Sequence, residues 1–170
     1  RGSPSKSSRA WAVVPGADGN WVSSHLRAVA ATGPTDVWAV GDYYDGQRGY
    51  SLIEHWDGTQ WSVVPSPNLG SGSNEFHAVS ARSATDGWAV GVGDSGQAAL
   101  VAHWDGTAWT LAPPGDLAGL SLWLTDVTAR AADDVWAVGM TPYAGAIHAL
   151  VAHWDGTTWH PMAGGGRAAP

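Results

Sequence analysis

Two short motifs recur three times along this chain, WAVG and HWDGT followed one residue later by Trp. The tryptophans of the first motif are Trp38, Trp88 and Trp136, and the histidines of the second are His55, His103 and His153. Both sets are spaced by roughly fifty residues, a period typical of repeat architectures in which each unit buries its apolar face against its neighbours. The sequence therefore predicts a stack of similar units rather than one irregular core.

Each repeat has the pattern of four short strands. In the middle copy, apolar runs at 76–82, 88–91, 100–104 and 109–113 are separated by residues that favour turns. Asp105-Gly106 lies between the third and fourth runs and is typical of a tight hairpin with positive φ. Asp86, between the first two runs, can close a turn onto nearby amides. No helical periodicity is visible, so we expect four antiparallel strands per repeat.

Four antiparallel strands in about fifty residues, with large aromatic residues on three of them, describe a blade of a β-propeller. The dipeptides Trp56-Asp57, Trp104-Asp105 and Trp154-Asp155 end the third strands. This pattern resembles the WD-repeat and kelch-like propeller superfamily, and in particular the Trp-rich propeller repeats of bacterial, often secreted, proteins. The resemblance covers roughly residues 10–162 and implies an all-β propeller segment, with an extracellular location as the corresponding expectation.

The repeat boundaries give three blades, at 26–65, 76–113 and 124–162. The run WAVVP at 11–15 matches WSVVP in the first blade, and this match predicts one extra N-terminal strand at 10–15 that belongs to no complete blade. Residues 1–9 and 163–170 are rich in Ser or Gly and are expected to be a linker and a tail.

Three blades are too few to close a propeller, which needs four to eight. An open arc exposes two blade faces, and covering them is worth on the order of 10 kcal/mol at about 25 cal/mol per Å². We therefore expect other copies of the chain, or another chain, to complete the ring. The alternative is that this sequence is a piece of a longer chain that carries the missing blades.

The bulk composition argues against several classes of partner. The net charge is −7 with only 8 Lys and Arg residues, so nucleic acid is not an expected partner. No run of apolar residues is long enough to span a membrane, and the chain has no cysteine. No motif for a cofactor, phosphate or metal is present, and no cofactor or metal is expected.

The irregular residues fall at one end of the predicted blades, in the loops between second and third strands and between fourth and first strands. Variable loops on a rigid frame are common binding sites, and aromatic rings there stack on sugars or anchor protein interfaces. The predicted ligand-binding residues are Trp21, Tyr43, Tyr44, Arg48, Tyr50, Trp123, Tyr143 and His148. The first hypothesis is a non-catalytic, lectin-like module that binds carbohydrate. The alternatives are a protein scaffold or self-assembling repeat without a small ligand, and aromatic residues that merely pack over the blades.

Other polar residues are weaker candidates for a site. The repeated histidines are interpreted as structural, each bonding a turn within its own blade. His77 and Asp126 face the central channel in the predicted blades, which leaves open a hydrolase or lyase at the channel mouth. Asp42, Asp45 and Glu54 cluster around one loop, but their spacing matches no calcium-binding pattern.

Overall fold

Twelve strands form three separate four-stranded sheets. The structure is a computed structural model that describes residues 15–17 and 19–162, apart from the side chain of Tyr143. The first sheet contains β1 (Ser23–Gly33), β2 (Asp36–Tyr44), β3 (Gly49–Trp56) and β4 (Trp61–Val64). The second contains β5 (Glu75–Ser83), β6 (Asp86–Gly93), β7 (Ala98–Trp104) and β8 (Trp109–Leu111). The third contains β9 (Trp123–Ala131), β10 (Asp134–Tyr143), β11 (Ala146–Trp154) and β12 (Trp159–Met162).

In each sheet the strands follow one another in chain order and pair antiparallel. The predicted fold class, an all-β chain of three four-stranded antiparallel blades, is confirmed. Two single 3₁₀ turns, Asp94–Gly96 and Gly115–Leu117, were not expected from the sequence. The predicted extra strand at 10–15 lies outside the described residues except for Pro15, as do the predicted linker at 1–9 and tail at 163–170.

The turn between the third and fourth strands is fixed by an aspartate. Oδ1 of Asp57 accepts hydrogen bonds from the backbone N–H groups of Thr59 and Gln60, at 2.7 and 2.9 Å. The hydroxyl of Thr59 donates to the same oxygen, and these bonds lower the pKa of Asp57 to about 2. Gly58 has a φ of 98°, so the positive φ falls on the glycine and not on the aspartate. The other two blades repeat this arrangement at Asp105 and Asp155.

The blades pack side by side through their faces. Between the first and second blades, Trp38 and Val40 meet Phe76 and Val79 in one buried cluster. A second cluster joins the next two blades through Trp88 and Val90 on one side and Leu124 and Val127 on the other. The first strands β1, β5 and β9 lie next to one another. This is the arrangement of three consecutive blades of a β-propeller.

The outer faces of the first and last blades are less covered than the faces between blades. Val29 in the first blade is 65% exposed, whereas Val79, at the same position in the second, is 9% exposed. At the other end Val138 is 42% exposed, whereas its counterpart Val90 is fully buried. The single chain therefore presents apolar surface at both ends of the row of blades.

Candidate functional site

The predicted site residues lie at one end of the blades, which we call the hairpin rim. The rim consists of the hairpins between second and third strands, at 45–48, 94–97 and 144–145, together with the starts of β1, β5 and β9. Contacts between blades tie the rim together. Nη1 of Arg48 donates to the carbonyl of Ser71, 2.6 Å away, ahead of β5. Nε1 of Trp123 donates to the carbonyl of Gly96 on the second blade, 3.2 Å away.

Four of the predicted residues form a continuous stack on the first blade. The rings of Trp21 and Tyr43 are stacked with centroids 4.7 Å apart, and Tyr43 stacks on Tyr50 at 5.2 Å. Tyr43 and Tyr50 are directly opposite each other in β2 and β3. The guanidinium carbon of Arg48 lies 4.3 Å from the centre of the Tyr50 ring and closes the stack.

The stack leaves little free ring surface for a ligand. Tyr43 is covered by Trp21 on one side and by Tyr50 on the other, and burial raises the pKa of its hydroxyl. Gly19 lies so close to Trp21 that a Cβ at this glycine would overlap the indole. The stack is therefore a rigid packing unit, and a ligand can meet only its edges.

The hairpin next to the stack is closed by its own aspartate. Oδ1 of Asp45 accepts from the backbone N–H groups of Gln47 and Arg48, at 2.7 and 2.9 Å. The bond from the N–H of Arg48, followed by that from Gln47, lowers the pKa of Asp45. The hairpin that positions Arg48 over Tyr50 is thus held by a side-chain cap within a loop of four residues.

Trp123 is the more exposed of the two tryptophans at the hairpin rim, Trp21 and Trp123, and a hydrogen bond fixes its position. It is the first residue of β9, and 43% of its surface is exposed. Gly96, with a φ of 90°, has no side chain that would push the indole away, and its carbonyl satisfies the indole N–H. The exposed remainder of Trp123 is therefore apolar ring surface.

The remaining three predicted residues lie apart from the stack. Tyr44 ends β2, opposite Ser23, and is 38% exposed. Tyr143 ends β10, and its side chain is outside the described part of the structure. His148 lies in β11, opposite Thr141, and is exposed. The prediction that the four tyrosines, Trp123 and His148 lie in loops was wrong, because the strands continue further into each hairpin than the apolar pattern indicated.

A polar network on the first strands was only partly anticipated. Arg27 donates to Asp42 at 2.9 Å and to Glu75 of the next blade at 2.7 Å. His25 lies 3.4 Å from Asp42, and Nε2 of His77 lies 3.7 Å from Glu75. The sequence identified His77 as a channel residue, but it assigned Asp42 to a loop. The network links the first two blades and has both signs of charge.

The residues considered for a catalytic or a calcium site each contact other partners. Nδ1 of His77 contacts the carbonyl of Leu124 at 2.8 Å, whereas Oδ1 of Asp126 accepts from the N–H of Val127 at 2.9 Å. Of the three carboxylates considered for calcium, Asp42 pairs with Arg27 and Asp45 caps its hairpin. The third, Glu54, is buried and accepts from the N–H of Ala17. Within 15–17 and 19–162, no three His, Cys, Asp or Glu side chains are grouped to hold a metal.

One comparison with a solved structure supports the fold. A solved chain of "YCF48 bound to D1 peptide" is similar with a TM-score of 0.53 and 18% identity, covering 88% of this chain and 46% of that chain. This chain therefore spans less than half of the length of that relative. A fucose lectin from Kordia zhangzhouensis, solved with methyl-fucoside, is similar with a TM-score of 0.48 and 17% identity, covering 79% of this chain and 97% of that chain. No family model and no curated protein matches the sequence. None of the described segments forms a helix long and apolar enough to cross a membrane.

Proposed function

We propose that the chain is a non-catalytic binding module whose ligand contacts the hairpin rim. The observation that supports this most strongly is the exposed indole of Trp123, held by its N–H bond to Gly96. An indole whose polar atom is already bonded offers only its ring surface, and such surfaces bind through stacking. Tyr44 offers a second exposed ring at the same rim. In this proposal the stack of Trp21, Tyr43, Tyr50 and Arg48 is a rigid support, and Tyr143 and His148 belong to the third blade's part of the rim.

We take carbohydrate as the first ligand class, because the apolar C–H faces of sugar rings stack on exposed aromatic rings. The net charge of −7 favours neutral glycans over sulfated or sialylated ones. A peptide or protein is the second class, since exposed aromatic residues also anchor protein interfaces. The proposal includes membership of the WD-repeat and kelch-like superfamily and an extracellular location, both from the sequence resemblance. It also includes completion of the propeller by other copies or by another chain.

An array of neutral glycans, followed by titration calorimetry on any glycan retained, tests the ligand class. Trp123→Ala and Tyr44→Ala are expected to weaken binding at least about tenfold, the effect of losing one well-packed aromatic contact. Leu120→Ala is the matched control, because Leu120 is 40% exposed but is not aromatic.

The outcomes separate the two ligand classes. Glycan binding that depends on Trp123 and not on Leu120 supports the lectin-like function. Binding from a peptide library with the same dependence, in the absence of glycan binding, favours the peptide class. If Trp123→Ala and Tyr44→Ala leave every observed binding event unchanged, the rim is not the ligand site and the proposal is wrong.

A further inference from the structure

The two interfaces between blades are built around the same three-indole contact. In each, the second-strand tryptophan of one blade packs on two tryptophans of the next, with centroids 4.8 to 5.6 Å apart. The indoles are Trp38, Trp104 and Trp109 at the first interface and Trp88, Trp154 and Trp159 at the second. We call the face of a blade with the single tryptophan its leading face, and the face with the pair its trailing face.

A third set of these tryptophans is divided between the two ends of the chain. Trp136 lies on the leading face of the third blade, and Trp56 and Trp61 lie on the trailing face of the first, 5.8 Å apart. Trp61 is partly exposed, whereas its counterpart Trp159 is fully buried by the preceding blade. Each end therefore has the half of the contact that the other end lacks.

The aliphatic residues of these faces are divided in the same way. Leu26 is 47% exposed on the trailing face of the first blade, whereas Phe76 and Leu124, at the same position, are fully buried. Val138 is 42% exposed on the leading face of the third blade, although Val40 is fully buried on the first. The surfaces that bury these side chains inside the chain are blades of the same repeat.

A polar contact has its two halves at the ends as well. Inside the chain, the hydroxyl of Ser80 accepts a hydrogen bond from the N–H of Ala129 on the next blade, at 3.0 Å. The equivalent acceptor on the leading face of the third blade is the exposed hydroxyl of Thr128. The equivalent donor on the first blade is the N–H of Ala31.

The end faces differ from the internal ones in two acidic residues. Asp126 stands on the leading face of the third blade where the other blades have Ala28 and Ala78, and it is exposed. Glu54 replaces an alanine on the trailing face of the first blade, and Ala17 lies against it. The two end faces therefore match best on the first strands and at the tryptophans. Asp126 opposes an association of these faces, because burying a charged carboxylate costs free energy.

We propose that copies of this chain associate head to tail, with the leading face of one third blade on the trailing face of the next first blade. Contacts of this heterologous kind close into a ring when the rotation fits. Two copies supply six blades, within the four to eight that propellers use, whereas three copies supply nine. The inference specifies the partner left open in the proposed function. Its test uses no ligand, so its failure leaves the ligand-binding proposal standing.

The test is light scattering of the 170-residue chain and of two variants with one blocked face each. Val29→Glu blocks the trailing face, and Val138→Glu blocks the leading face. Both positions are exposed in the single chain, so the variants are expected to fold, which circular dichroism checks. Leu111→Glu is the matched control, because Leu111 is 40% exposed but lies on the middle blade. The single chain has a mass of 17.6 kDa. We expect twice this mass for the unchanged sequence and for the control.

Each blocked variant alone is expected to be a monomer, with the dissociation constant raised at least about a hundredfold. Mixed in equal amounts, the two blocked variants are expected to form a two-chain species, since each retains the face that the other lacks. Asp126→Ala restores the residue of the internal interfaces and is expected to tighten association about tenfold. The proposal is overturned if the natural chain stays monomeric at about 100 µM. It is also overturned if either blocked variant remains dimeric alone, or if the mixture stays monomeric.

Discussion

Nε2 of His55 lies 2.8 Å from Oδ1 of Asp36, so the third strand of the first blade is tied to the turn between its first two strands. The second and third blades repeat this bond at 3.0 and 3.1 Å. The tryptophan of each WAVG motif packs against the same imidazole, as in Trp38 on His55 with centroids 4.3 Å apart. The WAVG and HWDGT motifs therefore meet in space within every blade.

This bond predicts that His103→Ala destabilises the protein more than the loss of an ordinary surface ion pair. The substitution leaves Asp86, a largely buried acceptor, with one partner fewer, and it removes the surface on which Trp88 packs. We expect the free energy of unfolding to fall by about 1 to 3 kcal/mol, measured by urea denaturation.

Arg130→Ala is the control for this prediction. Arg130 also pairs with a turn aspartate, Asp134, but its side chain is 72% exposed, so its loss is expected to cost less than about 1 kcal/mol. Equal effects of the two substitutions would show that the histidine bond contributes no more than a surface pair.

Two glycines with positive φ, Gly106 in a hairpin turn and Gly119 in the connection before β9, predict different costs for adding one methyl group. Gly106 has a φ of 94°, and a Cβ there would lie 2.8 Å from Cγ2 of Thr85. Gly119 also has a positive φ, but its Cβ would meet nothing within 4 Å. Gly119→Ala is expected to cost about 1 kcal/mol from backbone strain alone, and Gly106→Ala to cost more, about 2 to 3 kcal/mol.

Thr85→Ser removes the methyl group that the new Cβ of Gly106→Ala would meet. Adding Thr85→Ser to Gly106→Ala is therefore expected to recover part of the lost stability in the same denaturation experiment. If the double variant is no more stable than Gly106→Ala, the cost is backbone strain and not the contact with Thr85.

The ring stack on the first blade predicts different roles for two adjacent tyrosines. Tyr43 is enclosed between Trp21 and Tyr50, so Tyr43→Ala is expected to lower the free energy of unfolding by about 1 to 3 kcal/mol. Tyr44 belongs to no ring contact within the described residues and is exposed, so Tyr44→Ala is expected to change stability by less than about 0.5 kcal/mol. If Tyr44→Ala destabilises as much as Tyr43→Ala, Tyr44 is a packing residue and is removed from the proposed ligand site.

The blade count, the strand order and the histidine bonds could be predicted from the sequence because each is repeated three times. Repetition distinguishes a structural role from a chance placement: three histidines at one position of three equivalent blades must have equivalent neighbours. The hairpin aspartates, such as Asp57, were predicted for the same reason, although the positive φ belongs to the following glycine.

The candidate site could not be assembled from the sequence in the same way. The stacking of Tyr43 on Tyr50 depends on the register of β2 and β3, which the Asp45 cap fixes by allowing the strands to continue to the hairpin. The bond between Trp123 and Gly96 joins two blades, so it depends on how the blades are oriented. Neither contact leaves a repeated signal in the sequence, because each occurs only once among the described residues.

His160 predicts a pH-dependent contribution to stability at the third blade. Nδ1 of His160 lies 2.8 Å from Asp116, in the connection between the second and third blades, and Nε2 lies 3.1 Å from Asp155. Asp116, more than Asp155, raises the pKa of His160 above its ordinary value of 6.5. Because the folded state holds the proton more tightly, the contribution of His160 to stability is complete below the ordinary pKa and is lost as pH rises through the raised pKa.

Thermal unfolding between pH about 5 and about 9 tests this prediction. The unchanged chain is expected to lose its higher unfolding temperature, relative to His160→Gln, as the imidazole loses its proton. Asp116→Asn is expected to reduce the pH dependence without abolishing it, since Asp155 remains. If the natural chain and His160→Gln keep a constant difference in unfolding temperature over this range, protonated His160 does not fasten the connection to β12.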